Sequence, residues 1–114
     1  MAIRGQNFKL WAADYQEVPV VIGNMENLEG STLKWGMSRT PESEILVEKN
    51  SNADGIAING TVVTVKINPE DTDSLSGGRY YHELRLLDGQ GNPSTIATGH
   101  IRLHKSLINF EGGF

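Results

Sequence analysis

Apolar and polar residues alternate with a period of two over several short stretches of this chain, and polar segments bearing glycine or proline separate them, which is the signature of half-buried β-strands joined by turns. The first stretch runs from Asn7 to Ala13, with Phe8, Leu10 and Ala12 on one face and Lys9, Trp11 and Ala13 on the other. Asp14-Tyr15-Gln16-Glu17 reads as a turn. Val18 to Ile22 is a short apolar run whose Pro19 has no N–H for a ladder, so an edge strand or one that switches sheets is expected there. From Ser31 to Arg39 the alternation places Leu33, Trp35 and Met37 inward. After Thr40-Pro41-Glu42-Ser43, a strand from Glu44 to Lys49 is expected to hold Ile45 and Val47 on one face.

Ile56-Ala57-Ile58 and Thr61 to Ile67 flank Asn59-Gly60, a strong hairpin signal, and Val63, Val65 and Ile67 are expected inward. Pro69 to Leu75 lacks alternation but has Pro at a possible first helical position followed by acids, which predicts one helical turn crossing between sheets. Arg79 to Leu87 places Tyr80, His82, Leu84 and Leu86 on the core face and Arg79, Tyr81, Glu83 and Arg85 in solvent. After the loop from Asp88 to Pro93, the stretch from Thr95 to His104 carries Ala97, Gly99, Ile101 and Leu103 on one face. Seven to eight short strands in a chain of this size predict an all-β, immunoglobulin-like antiparallel β-sandwich with Greek-key links. Leu75-Ser76-Gly77-Gly78-Arg79-Tyr80 is similar to the tyrosine corner of such sandwiches. The predicted organisation is a single sandwich domain over residues 1–106 and a C-terminal tail over 107–114, mobile or held by a partner.

At 114 residues the chain has the size of one domain and buries about two-thirds of its surface on folding. Fourteen acids against ten Lys and Arg set a net charge of −4, which disfavours a nucleic-acid partner. The absence of cysteine removes disulfides, cysteine zinc sites and thiol catalysis. The N-terminus enters polar residues directly, without the apolar stretch of a signal peptide, and no run approaches the roughly 20 apolar residues of a bilayer span. A soluble protein with no membrane partner is expected.

The candidate chemistry is sparse. His100 and His104 share a strand face about 13 Å apart, too far to ligate one ion together, and His82 points to the core. Glu70, Asp71 and Asp73 lack the glycine and distal glutamate of a calcium loop. No serine sits in a nucleophile elbow, and Gly89-Gln90-Gly91 lies between strands, where no helix N-terminus receives a phosphate. No catalytic residue, metal or cofactor is expected. Trp11 and Tyr81 point outward, as a patch for protein contact or, alternatively, as part of a carbohydrate-binding module.

Arg4-Gly5-Gln6, Leu28-Glu29-Gly30-Ser31-Thr32-Leu33-Lys34-Trp35, Pro69-Glu70-Asp71-Thr72, Gly77-Gly78-Arg79-Tyr80-Tyr81-His82-Glu83-Leu84, Asp88-Gly89 and Gly99-His100-Ile101 together resemble a recurrent domain of phage and prophage virion proteins. The sequence is similar to the immunoglobulin-like N-terminal domain of baseplate upper proteins over residues 4 to about 104. It departs at Gln6, where members have an Arg-Gly-Asp-like start. The resemblance implies a non-enzymatic structural or adaptor protein of the tail, baseplate or neck, made in the bacterial cytoplasm and placed in the virion, whose partners are other virion proteins.

Two uncharged segments extend this expectation to self-association, because unblunted strand edges invite pairing. The edge run, with Val18, Val20 and Ile22, and the tail, with Leu107, Ile108, Phe110 and Phe114, join Trp11 and Tyr81 as the expected partner-binding residues of a homo-oligomer.

Overall fold

The computed structural model describes residues 3–22, 30–53, 55–59 and 62–105. Eight strands and one helical turn follow in the order β1 (Phe8–Trp11), β2 (Gln16–Val21), β3 (Thr32–Ser38), β4 (Ile45–Asn50), β5 (Ile56–Asn59), β6 (Val62–Ile67), α1 (Pro69–Thr72), β7 (Gly78–Leu87) and β8 (Pro93–His104). They form a five-stranded sheet, β1-β8-β7-β3-β4, and a three-stranded sheet, β2-β6-β5. This is the strand order of an immunoglobulin-like sandwich. Its core holds Val18, Val20, Val63, Val65 and Ile67 from the smaller sheet and Leu33, Trp35, Met37, Tyr80, Leu84, Ile101 and Leu103 from the larger. Each set is the inward half of an alternating strand, as the period-two pattern requires.

Three features depart from the sequence expectation. All pairing was expected antiparallel, but β1 runs parallel to β8, with Phe8 opposite Ile101 and Trp11 opposite His104. A parallel partner is available because β1 and β8 are joined by no hairpin and β8 is long enough to hold β7 on one side and the N-terminal segment on the other. Ile45 does not share the core with Val47. Met37 pairs with Val47 and Ser38 with Ile45, so Leu46 is an extra bulged residue and Ile45 is left 57% exposed. The expected turn over residues 14–17 gives way at Gln16, which already belongs to β2.

A second bulge serves the fold. Leu84 pairs with Ala97 and Arg85 with Thr95, which leaves Ile96 unpaired in β8, and its carbonyl accepts the Ile3 N–H at 3.0 Å. The N-terminal segment thus enters alongside β8 before β1 begins. The crossover turn α1 forms where Pro69 and the following acids predict it: the Asn68 N–H donates to Asp71 Oδ2 at 2.7 Å, and Lys49 Nζ pairs with the same oxygen at 2.7 Å. The neighbouring Thr72 is fully buried, and its Oγ1 accepts the Ala13 N–H at 2.9 Å, tying the β6–β7 crossover to the β1–β2 turn. The tyrosine corner is present, with the Tyr80 hydroxyl donating to the Ser76 carbonyl at 2.6 Å and the Arg39 guanidinium 4.4 Å above the ring centre.

The seam between the two sheets at β1 and β2 is closed by two glutamine side chains. Gln6 Nε2 donates to the Val21 carbonyl at 2.7 Å while its Oε1 accepts the Val21 N–H at 2.8 Å. Gln16 does the same for Trp11, accepting its N–H at 2.7 Å and donating to its carbonyl at 2.8 Å. A carboxamide presents one donor and one acceptor side by side, as a peptide unit does, so each glutamine acts as one residue of a missing ladder. Pro19, two residues before Val21, turns its ring nitrogen to the same edge and has no N–H to leave unpaired.

Candidate functional site: the outer face of the five-stranded sheet

A polar cluster in the interior, centred on His82, is structural. His82 is fully buried between Trp35, whose Nε1–H donates to His82 Nδ1 at 3.0 Å, and Gln6, whose carbonyl lies 2.6 Å from His82 Nε2. Those partners assign the proton to Nε2, which donates to the carbonyl while Nδ1 accepts. Burial holds the imidazole below its usual pKa, against the opposing pull of the Gln6 carbonyl. Two residues after the corner tyrosine, antibody-type domains carry the second cysteine of their inter-sheet disulfide, packed on a buried tryptophan. This chain has no cysteine, and His82 occupies that place against Trp35. The close approach of Gln6 requires Gly99, which lies opposite His82 in the ladder; a Cβ there would overlap the Gln6 carbonyl.

The face turned away from this core carries a different pattern. Arg79 lies opposite Arg102, and Arg102 opposite Lys9, so three cations stand in one row across β7, β8 and β1. The next row holds Ser38, Tyr81 and His100, and the next Glu48, Gly36, Glu83 and Thr98. Beyond it Lys34 faces Arg85. The outward strand positions thus carry five cations and two carboxylates on a chain whose net charge is −4. Among the described residues the one ion pair within 4.0 Å is Lys49 with Asp71, on the other side of the sheet, so none of these seven charges is in an ion pair with another described residue.

At the centre of the face Gly36 has no side chain, and a groove of about 330 Å³ opens over it. Glu48 and Glu83 flank the groove, Lys34 and Arg85 close one end, and Tyr81 and Ile45 stand at the other. The Tyr81 hydroxyl donates to Glu83 Oε1 at 2.8 Å. Partial burial, that hydrogen bond and the adjacent charge push the Tyr81 pKa up to about 12, so the phenol stays protonated.

Of the expected partner-binding residues, Trp11 is 45% exposed and Tyr81 half-buried, both on this face. They are not brought together. Trp11 packs on His104 with ring centres 5.1 Å apart, Tyr81 on His100 at 6.2 Å, and the cationic row runs between the two pairs. Val18, Val20 and Ile22 are corrected: all three are buried in the core, because alternation in β2 sends them inward and leaves only Pro19 and Val21 of that run outside. The Gln6 side chain occupies the edge at Val21. Leu107, Ile108, Phe110 and Phe114 lie outside the described residues, as does Gly60 of the expected hairpin turn. Among the described residues no three His, Asp or Glu side chains converge to hold a metal ion.

The cationic row was the residue set that sequence alone did not single out. Parity places each of its members outward, but only the parallel pairing of β1 with β8 sets Lys9 beside Arg102.

No protein-family model matches the sequence, and no curated protein matches it. Among solved structures, the chain is similar to CopC from Methylosinus trichosporium OB3b, with a TM-score of 0.51 and 14% identity over 93% of this chain and 91% of that one. Murine CRIg aligns with a TM-score of 0.43 and 13% identity over 89% and 92%. The extracellular domain of the voltage-gated sodium channel beta4 subunit, described as a parallel homodimer, aligns with a TM-score of 0.42 and 19% identity over 90% and 95%. The likeness is one of fold, and strand order, tyrosine corner and buried tryptophan together make this chain an immunoglobulin-like β-sandwich.

Proposed function

We propose that this protein is a non-enzymatic structural or adaptor module of a phage or prophage tail, baseplate or neck, and that it works by protein–protein contact through the outer face of the five-stranded sheet. The observation that carries the contact reading is the charge at the outward strand positions of that face: five cations and two carboxylates, none in an ion pair among the described residues, on an otherwise acidic protein. Like charges directly opposite one another in a ladder cost stability. Arg79 with Arg102, Arg102 with Lys9, and Lys34 with Arg85 are three such contacts. A partner that supplies counter-charges offsets that cost. The virion setting rests on the resemblance of the sequence motifs to those of baseplate upper proteins. Carbohydrate stacking is served less well, since the two outward rings are separated by the cationic row and each already packs on a histidine.

The test is made on purified virions of a phage that encodes the chain. Mass spectrometry is expected to find the protein in the particle, and the variant carrying Arg79→Glu and Arg102→Glu is expected to be lost from it. Particles that lack the wild-type protein would overturn the reading.

A further inference from the structure

We infer that the outer face of the five-stranded sheet is also a self-contact, on which a second copy of this chain docks with its strands antiparallel; the inference deepens the contact reading above. Along the strand direction the face is ordered as a cationic row (Lys9, Arg102, Arg79), a neutral row (Ser38, Tyr81, His100), a row with both carboxylates (Glu48, Glu83) and a second cationic pair (Lys34, Arg85). Two identical faces that pack on each other are related by a two-fold axis lying in the plane between them. If that axis runs along the strands, each row meets itself and cation stands on cation. If it runs along the neutral row, the order of rows is reversed in the second copy. Arg79 then faces Glu83 of the second copy, Glu83 faces its Arg79, and Tyr81 meets Tyr81 on the axis. Of the two arrangements only the second sets opposite charges against each other, at the two symmetry-related Arg79–Glu83 contacts.

A uniformly anionic polymer fits less well. It would cross the Glu48 and Glu83 row, where two carboxylates flank the groove over Gly36. An occupant must bring a carboxylate to Arg79 and a cation to Glu83 on the same strand, and a second copy supplies both. The contact is small. Five strands about 4.8 Å apart and about six residues long present about 500 Å² per copy, so the pair buries about 1,000 Å², the lower limit for a specific interface. Its association is therefore weak, sensitive to salt, and increased by the high local concentration of an assembly.

The test is sedimentation velocity of the full chain from micromolar to about millimolar subunit at low and at high salt, with two charge swaps. Wild type is expected to form a dimer that weakens with salt. Arg79→Glu and Glu83→Arg are each expected to weaken it by about tenfold or more, the effect of losing close opposed charges and gaining like ones. An equimolar mixture of the two variants is expected to recover a mixed dimer, visible by native mass spectrometry. Arg79→Glu has a second readout, because it places a carboxylate opposite Arg102 and should hold or raise the melting temperature of the monomer while it breaks the dimer. Loss of dimer with a lowered melting temperature would point to misfolding, and then Arg79→Gln, which removes the charge alone, must also weaken the dimer for the inference to stand. A wild-type chain that stays monomeric to about millimolar, swaps that dimerise as wild type does, or a monomeric wild type retained on heparin in low salt would overturn the self-contact. None of those results touches the virion test, so the two readings fail separately.

Discussion

Replacement of His82 by Leu tests the hydrogen-bonded hub that stands where antibody-type sandwiches place a disulfide. The side chains are similar in volume, so the cavity term is small, and what changes is polar. In wild type the imidazole satisfies the Trp35 Nε1–H at 3.0 Å and the Gln6 carbonyl at 2.6 Å, at a position with no solvent access. Leucine leaves both without a partner, at about 1–3 kcal/mol each. Its greater hydrophobicity returns about 1–2 kcal/mol. The expected net loss is about 2.5 kcal/mol at pH 7.5, read by urea denaturation followed through tryptophan fluorescence.

The pH dependence provides an internal control. Burial lowers the folded-state pKa of His82 below the unfolded value near 6.5. As pH falls through 6.5 the unfolded chain takes up a proton at this residue and the folded chain does not, so this contribution to stability is present above pH 6.5 and is lost below it. The loss approaches about 1.4 kcal/mol per pH unit until the folded-state pKa is reached. The Leu variant has no such group, so the two stabilities should converge as pH falls from 6.5 to 5. A variant as stable as wild type at pH 7.5, or a stability difference that stays constant down to pH 5, would refute the hub.

Three further substitutions examine the surrounding architecture. Gly99→Ala drives a methyl group into the Gln6 carbonyl, and a loss of about 2–3 kcal/mol is expected, with faster amide exchange at Gln6, whose N–H bonds the Thr98 carbonyl; a change below 0.5 kcal/mol would show that the N-terminal segment yields. Tyr80→Phe removes the hydroxyl that the Ser76 carbonyl accepts and should cost about 1–2 kcal/mol in chemical denaturation, while an unchanged midpoint would mean that the corner adds nothing. Gln6→Ala with Gln16→Ala opens both ends of the β1–β2 seam; about 1–2 kcal/mol should be lost, and thioflavin-positive aggregation should rise as the β2 edge is freed, whereas a variant as resistant as wild type would argue against the seam.

Much of the sandwich was legible in the chain because strand alternation is a local property. Consecutive Cβ atoms point to opposite sides, so Leu33-Lys34-Trp35-Gly36-Met37 and Tyr80 through Leu86 declare their inner and outer faces before any partner is known. The same holds for Pro69 at the crossover turn and for the corner tyrosine, whose hydrogen bond closes over four residues. What pairs with what is not local. The parallel docking of β1 on β8, the two bulges that expose Ile45 and admit Ile3, and the contact of Gln6 with His82, 76 residues away, arise only when the strands assemble. The candidate site belongs to that second class. Lys9, Arg79 and Arg102 are unremarkable solvent-facing cations in the sequence and become one row because the pairing register sets them side by side. Val18, Val20 and Ile22 took the opposite course: an uncharged run reads as an exposed edge, but alternation buries its larger half, and the edge that remains is covered by the side-chain amide of a glutamine 15 residues upstream of Val21.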